Sequence, residues 1–224
     1  MADSLIFALA AGVVLGLVAW AVRSHQKRSA AREQALERLG FRPCPEEEGW
    51  LRETVVGIEG NRDHRYEIRN PRRLSGAKVY HYTKRRLGRG DEPPDVEEEL
   101  LFPLKRPSSA GLVLVVKPSS VPAGLASRML GSVATGPWDS QPDDLQRLEL
   151  PLDLRDTNLV GALGPPGAGL YDLVDASTLG VVQGLGDLGG THVRFRDGWC
   201  AVDGISHQIP FRLEDLVARI RPLL

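Results

Sequence analysis

A thiol beside an imidazole becomes a nucleophile when the imidazole draws off its proton, and Cys200 with His207 is the pair in this chain best placed for it. The two flank Asp203-Gly204, the second of two Asp-Gly dipeptides in residues 192–209. Asp-Gly between alternating runs marks a two-residue hairpin turn. Three strands in that register set Cys200 opposite Phe195 on one side and His207 on the other. The alternation also gathers Val193, Phe195, Cys200, Val202, Ile205, His207 and Ile209 on one mostly apolar face. A cysteine there is a small inert hydrophobe, and no third group orients the histidine, so the expectation is an idle Cys200.

Other reactive constellations are sparse. His64 and His81 fall on strand-like runs and could share a metal with a carboxylate, yet two histidines without ligand spacing do not make a zinc site. Cys44 and Cys200 are too few and too far apart for a disulfide framework and suit a reducing compartment. Gly184-Leu-Gly-Asp-Leu-Gly189 fits the GxGxxG pattern, but a strand-like run follows it where a dinucleotide site needs a helix, so it reads as a glycine-rich connection. No GxxxxGK[ST], GxSxG or HExxH occurs. Neither a metal nor a cofactor is expected, and catalysis ranks behind binding.

The densest charge is basic. Arg65, Arg69, Lys78, Lys84, Arg85 and Arg86 lie among Tyr66, Tyr80 and Tyr82, and alternation puts Lys78, Tyr80, Tyr82 and Lys84 on one face. Such a face can hold anionic lipid head groups or stack RNA bases. The lipid reading is preferred to nucleic acid, and a solvated face neutralised by the acidic run after Gly90 is preferred to both.

These groups need a scaffold, and its first element is the apolar run of residues 5–22. As a helix it spans roughly 27 Å, enough for a bilayer core. The first four residues carry no Lys or Arg, unlike a signal peptide, whereas Arg23, Lys27 and Arg28 crowd the other flank beside Trp20. Basic flanks stay in the cytoplasm and aromatic residues mark the interface. The expectation is a single-pass anchor in the inner (cell) membrane, with the N-terminus outside and the remaining chain cytoplasmic. Ala8, Gly12 and Gly16 form a small-residue stripe that would let two such helices approach closely, giving a homodimer in the membrane.

Residues 23–39 continue helically to a stop at Gly40. Residues 54–69 read as a hairpin around residues 60–63, residues 77–83 and 111–117 as strands, and residues 84–99 as a surface loop turning from basic to acidic. A short helix is expected over residues 122–130, a strand over 148–154 and a helix near 170–179. Beyond Pro210, Leu213, Leu216, Val217 and Ile220 recur at helical spacing, with acids early and arginines late, predicting an amphipathic helix packed on the sheet.

The fold class is therefore α+β: a transmembrane helix over residues 1–22, a juxtamembrane helix over 23–41, and a mainly antiparallel domain over 42–224 that ends in a β-meander and a helix, with a possible division near 118–140. A net charge of −1 over 224 residues excludes a polybasic or strongly acidic chain. The layout is similar to that of single-pass bacterial membrane proteins, a likeness that carries over no functional residue. The expected role is a binding or assembly domain at the inner membrane surface, with the bilayer and a protein of unknown identity as partners. A tethered hydrolase or transferase using Cys200 and His207 is the alternative.

Overall fold

A computed structural model describes residues 2–60, 65–87, 95–105, 110–121, 144–154, 157–189, 191–203 and 212–224; within the first helix, most side chains before Arg23 lie outside the description. That helix, α1 (Ala2–Leu39), is continuous through the apolar run and the stalk. It ends at Gly40, whose φ of +89° is the left-handed stop that glycine accepts without strain. Ala35 and Leu36 in its last turns are buried. Among the described residues no helix is long and apolar enough to cross a membrane; the run expected to do so, residues 5–22, falls almost wholly on side chains outside the description.

Among the described residues nine antiparallel strands follow in the spatial order β1-β2-β3-β4-β9-β8-β5-β7-β6. They are β1 (Phe41–Pro43), β2 (Arg65–Leu74), β3 (Tyr80–Leu87), β4 (Asp95–Pro103), β5 (Leu112–Val116), β6 (Gln146–Arg147), β7 (Leu159–Gly164), β8 (Thr191–Arg196) and β9 (Trp199–Val202). Among the described residues the helices besides α1 are α2 (Glu48–Glu59), α3 (Leu170–Leu173), α4 (Ala176–Gly184) and α5 (Arg212–Ile220). The fold is thus α+β with one large antiparallel sheet.

Strand alternation sorts the core into two layers. Leu100, Phe102, Cys200 and Val202 face a larger layer with Leu36 of α1, Leu179 and Val182 of α4, and Leu213, Val217 and Ile220 of α5. Leu101, Ala201, Tyr80 and Tyr82 face a smaller layer closed by Leu51, Val55 and Ile58 of α2. The α5 helix buries the stripe its spacing predicts, and β5 is the buried apolar strand expected between residues 111 and 117.

Several expectations are corrected. Residues 54–59 are the end of α2, not the first arm of a hairpin: Leu51, Val55 and Ile58 fall on one helical face against the sheet, and Gly60, at φ +66°, stops the helix. Burial on that face overrides the strand preference of Thr54-Val55-Val56. Of the loop expected over residues 84–99, residues 84–87 and 95–99 are strand, and residues 88–94 lie outside the described residues. Lys84 stands opposite Glu97 and Tyr82 opposite Glu99. Residues 148–154 form only a short helical turn over Leu152–Leu154, while the strand precedes them as β6. The helix expected near 170–179 is split into α3 and α4, the latter capped by Asp175 accepting from the Thr178 amide. The helix expected over residues 122–130 lies outside the described residues.

The first Asp-Gly turn is as read. Asp197 and Gly198 have φ of +51° and +79°, as a two-residue turn with both residues left-handed requires, and Phe195 opposes Cys200 while Val193 opposes Val202. The meander's third strand is corrected. The far edge of β9 belongs to β4, so Cys200 faces Phe102 across the strands and not His207. Residues 204–211, His207 among them, lie outside the described residues.

Candidate functional site

Lys84 stands on the α2 side of β3, two residues beyond Tyr82, and the sheet register brings Glu97 and Glu99 of β4 beside it. Its ammonium lies 2.6 Å from Glu99, 2.6 Å from Glu59 at the end of α2, and 3.0 Å from Glu97. Across β9, Arg194 of β8 donates to Asp203 at 2.8 Å and to Glu99 at 3.2 Å, with Glu59 at 3.3 Å. The Tyr82 hydroxyl donates to Glu99 at 2.8 Å. His192 approaches Asp203 at 3.3 Å through Nδ1, and its amide donates to the same carboxylate at 2.7 Å. Two fixed cations and four carboxylates thus share one pocket between the sheet and α2.

Burial makes these charges matter. The side chains of Glu99 and Asp203 are 1% and 2% exposed, that of Lys84 5%. Burial alone would raise the carboxyl of Asp203; Arg194, then His192, outweigh it and hold it well below the usual carboxylate range. Glu59 is likewise held low, burial being overcome by Arg194 and Lys84. For Glu97 burial prevails over Lys84, and the nearby Asp203 and Glu99 push the same way, so its carboxyl is raised. His192 is raised because Asp203 outweighs burial. Burial and the Glu99 carboxylate together drive the Tyr82 phenol well up.

The lattice is suited to holding the sheet and α2 in register, and less to chemistry. Carboxylate oxygens of Glu97, Glu99 and Asp203 lie within 4.8 Å of one another, a spacing that would fit a cation, but Lys84 and Arg194 already supply positive charge there.

Sequence reading put Lys84 among possible anionic-surface contacts; its burial in the lattice corrects that. Tyr80, Tyr82 and Lys84 do share a face, but it is the interior one, where Tyr82 is fully buried. Two other members of the basic group meet carboxylates: Arg69 pairs with Glu67 at 2.9 Å and Arg85 with Glu67 at 3.3 Å. Arg86 is half-buried, while Arg65 and Lys78 are exposed. Exposed too are Trp20, Arg23 and Lys27 on α1; the side chains of Arg28, Ala8 and Gly12 lie outside the description, and around Gly16 a methyl group would meet nothing within 4 Å. Missing from the sequence reading were Glu59, Glu97, Glu99, Arg194 and Asp203. The signal lay in the basic run of β3 mirrored by the acidic run of β4, which a hairpin sets face to face.

On the opposite face of the sheet a second polar contact holds α1. Arg32 pairs with Glu98, whose side chain is 1% exposed, and His81 lies 3.9 Å from the same carboxylate, edge-on to Phe41. Glu33 pairs with Arg72 of β2 and Arg38 with Glu214 of α5. His64, the other histidine of the considered metal pair, lies outside the described residues.

The glycine-rich connection follows α4, not a strand. A methyl at Gly186 would lie 2.7 Å from the Lys117 carbonyl oxygen and 2.6 Å from the Asn158 amide nitrogen, so its glycine serves close packing. A cleft of about 570 Å³ opens between Lys105, Tyr171, Asp175, Thr178, Phe195 and Leu223, at the start of α4, with neither cysteine nor histidine in its lining.

Cys200 is fully buried, and burial drives its thiol well above the ordinary range. With Cys44 replaced by Ser, labelling of Cys200 by a thiol reagent is expected to be at least ~100-fold slower in the folded chain than in urea, since it must await opening of the central sheet. Comparable rates in the two states would revive the thiol as a nucleophile. Comparison with protein-family models, curated proteins and solved structures finds no match.

Proposed function

We propose that this chain is a single-pass protein of the inner membrane whose cytoplasmic α+β body binds or assembles with a protein partner at the membrane surface. The observation that carries the reading is the docking of α1. One unbroken helix joins the uncharged run of residues 5–22 to the sheet, and its last turns are fastened by Leu36, Arg32–Glu98 and Glu33–Arg72. From Arg23 to Arg32 the helix advances only about 14 Å, so a body held this way sits against the bilayer. The basic flank of the span supports a cytoplasmic body, and the exposed Arg23 and Lys27 are suited to anionic head groups. A binding role fits the charged groups of the interior, which are engaged with one another.

Orientation is tested with C-terminal reporters on the full chain. A fluorescent cytoplasmic fusion and an inactive alkaline phosphatase fusion are expected, with the protein retained in the carbonate-washed membrane pellet. Active phosphatase with a dark fluorescent fusion reverses the orientation, and release by carbonate removes the anchor.

A further inference from the structure

His81 lies where the sheet receives α1. It is 4% exposed on β3, which pairs with β2 on one side and β4 on the other. Arg72 of β2 is its register partner, so the two side chains share a face, and the Glu98 carboxylate of β4 stands 3.9 Å from Nε2. From α1, Arg32 reaches that same carboxylate and Glu33 reaches Arg72. Phe41 of β1 meets the ring edge-on. Among the described residues the charged groups around the imidazole are therefore two arginines and two glutamates, matched in pairs; further along the face Arg69 and Arg85 meet Glu67. A neutral imidazole keeps this balance. A protonated one sets a third cation beside two guanidiniums, and a buried charge without a counter-charge of its own is costly. The two sides of the contact differ in freedom. His81 is fixed on a strand paired along both edges, whereas Arg32 is partly exposed on a helix near its end, so the repulsion is relieved by moving the helix.

We propose that His81 is a pH-sensitive latch for α1: the imidazole is neutral while the helix is docked, and acidification charges it and releases the helix from the sheet. The docked state then binds one proton fewer than the released one. Docking accordingly weakens as pH falls through the range of a free imidazole, about 6.5, by up to roughly tenfold per pH unit. As a control on a membrane-held body the latch rests on the anchored reading; as a contact between helix and sheet it does not.

The test places a thiol at Ala35, buried in the docked turns beside Leu36, in the full chain in detergent. Labelling of Ala35→Cys by dithiodipyridine, located by peptide mass spectrometry, is compared with the rate in urea at the same pH, which cancels the ionisation of the thiol. Protection of residue 35 is expected to fall on the order of thirtyfold between pH 8 and pH 5, as one proton bound at about pH 6.5 requires. Cys200 in the same molecules should stay protected, which separates release of the helix from unfolding. His81→Gln and His81→Phe, which cannot charge, should match the parent at pH 8 and hold that protection down to pH 5. The bend in the parent's own profile, at about pH 6.5 for an imidazole against about 4 for a carboxyl, decides the matter even if both variants misfold. Protection that does not change with pH overturns the latch, and so does a rise on acidification, in which a charged His81 would tighten the hold on Glu98. A fall shared by Cys200, or kept in a His81 variant that is protected at pH 8, overturns it too. Carbonate extraction of membranes reads the anchor separately, so its loss is not confused with a failed latch.

Discussion

Replacing Arg194 with Met is expected to destabilise the fold by about 3–5 kcal/mol at pH 7, the usual cost of removing one partner from a buried ionic group. Methionine matches the stem but leaves Asp203, Glu59, Glu97 and Glu99 facing Lys84 as their one fixed cation. Urea unfolding checks it, and a loss under about 1 kcal/mol would mean that water screens the lattice. Adding Asp203→Asn should recover part of the loss, because the two residues act as a unit. The pH dependence has a definite sign. Asp203 and Glu59 are held low in the folded chain, so their contribution is complete above the unfolded carboxyl range, about pH 4, and is lost as pH falls through their lower folded values. Glu97 is raised, so its contribution is complete below its unfolded value and is lost as pH rises through the folded one. At pH 7 Glu97→Gln is accordingly expected to be neutral or stabilising, the reverse of Asp203→Asn.

Glu98→Ala is expected to release the end of α1 from the sheet at a similar cost, about 3–5 kcal/mol. It removes the buried acceptor of Arg32 and the carboxylate beside His81. The readout is the distance between spin labels at Gln34 and Ser75, both exposed. A single narrow distribution in the native chain should broaden in Glu98→Ala, while the far-ultraviolet spectrum stays that of the folded sheet. Leu36→Ala should act in the same direction, at about 2–5 kcal/mol. An unchanged narrow distance in both variants would show that the helix is held by other contacts, and the docking that supports the membrane reading would lose its cause.

What was legible in the sequence was local. Asp197-Gly198 fixes its own turn, and with it the opposition of Phe195 to Cys200; Gly40 ends a helix because a left-handed residue must follow; Leu213, Leu216, Val217 and Ile220 can share a buried face in one regular way. What was not legible was the choice of distant neighbour. Nothing near Cys200 says that β4, a hundred residues earlier, takes the edge that a third meander strand would need. The same blindness hid the lattice. Glu97 and Glu99 look like solvent-facing charge until Lys84 and Arg194 are brought over them, and Thr54-Val55-Val56 looks like strand until α2 is seen closing the pocket. Charge runs of opposite sign on strands that form a hairpin are the pattern that would have exposed it.

The unbroken α1 has a further meaning for evolution and engineering. A flexible linker tolerates any change of length, but a continuous helix behaves like a keyed shaft. Each residue inserted between Arg23 and Arg32 turns the N-terminal end by about 100° relative to the sheet and moves it about 1.5 Å along the axis, whereas seven bring it nearly back into phase. The rotational setting of the apolar run is therefore geared to the sheet, and a twist or tilt imposed on one end is delivered to Glu98 and Arg72 at the other.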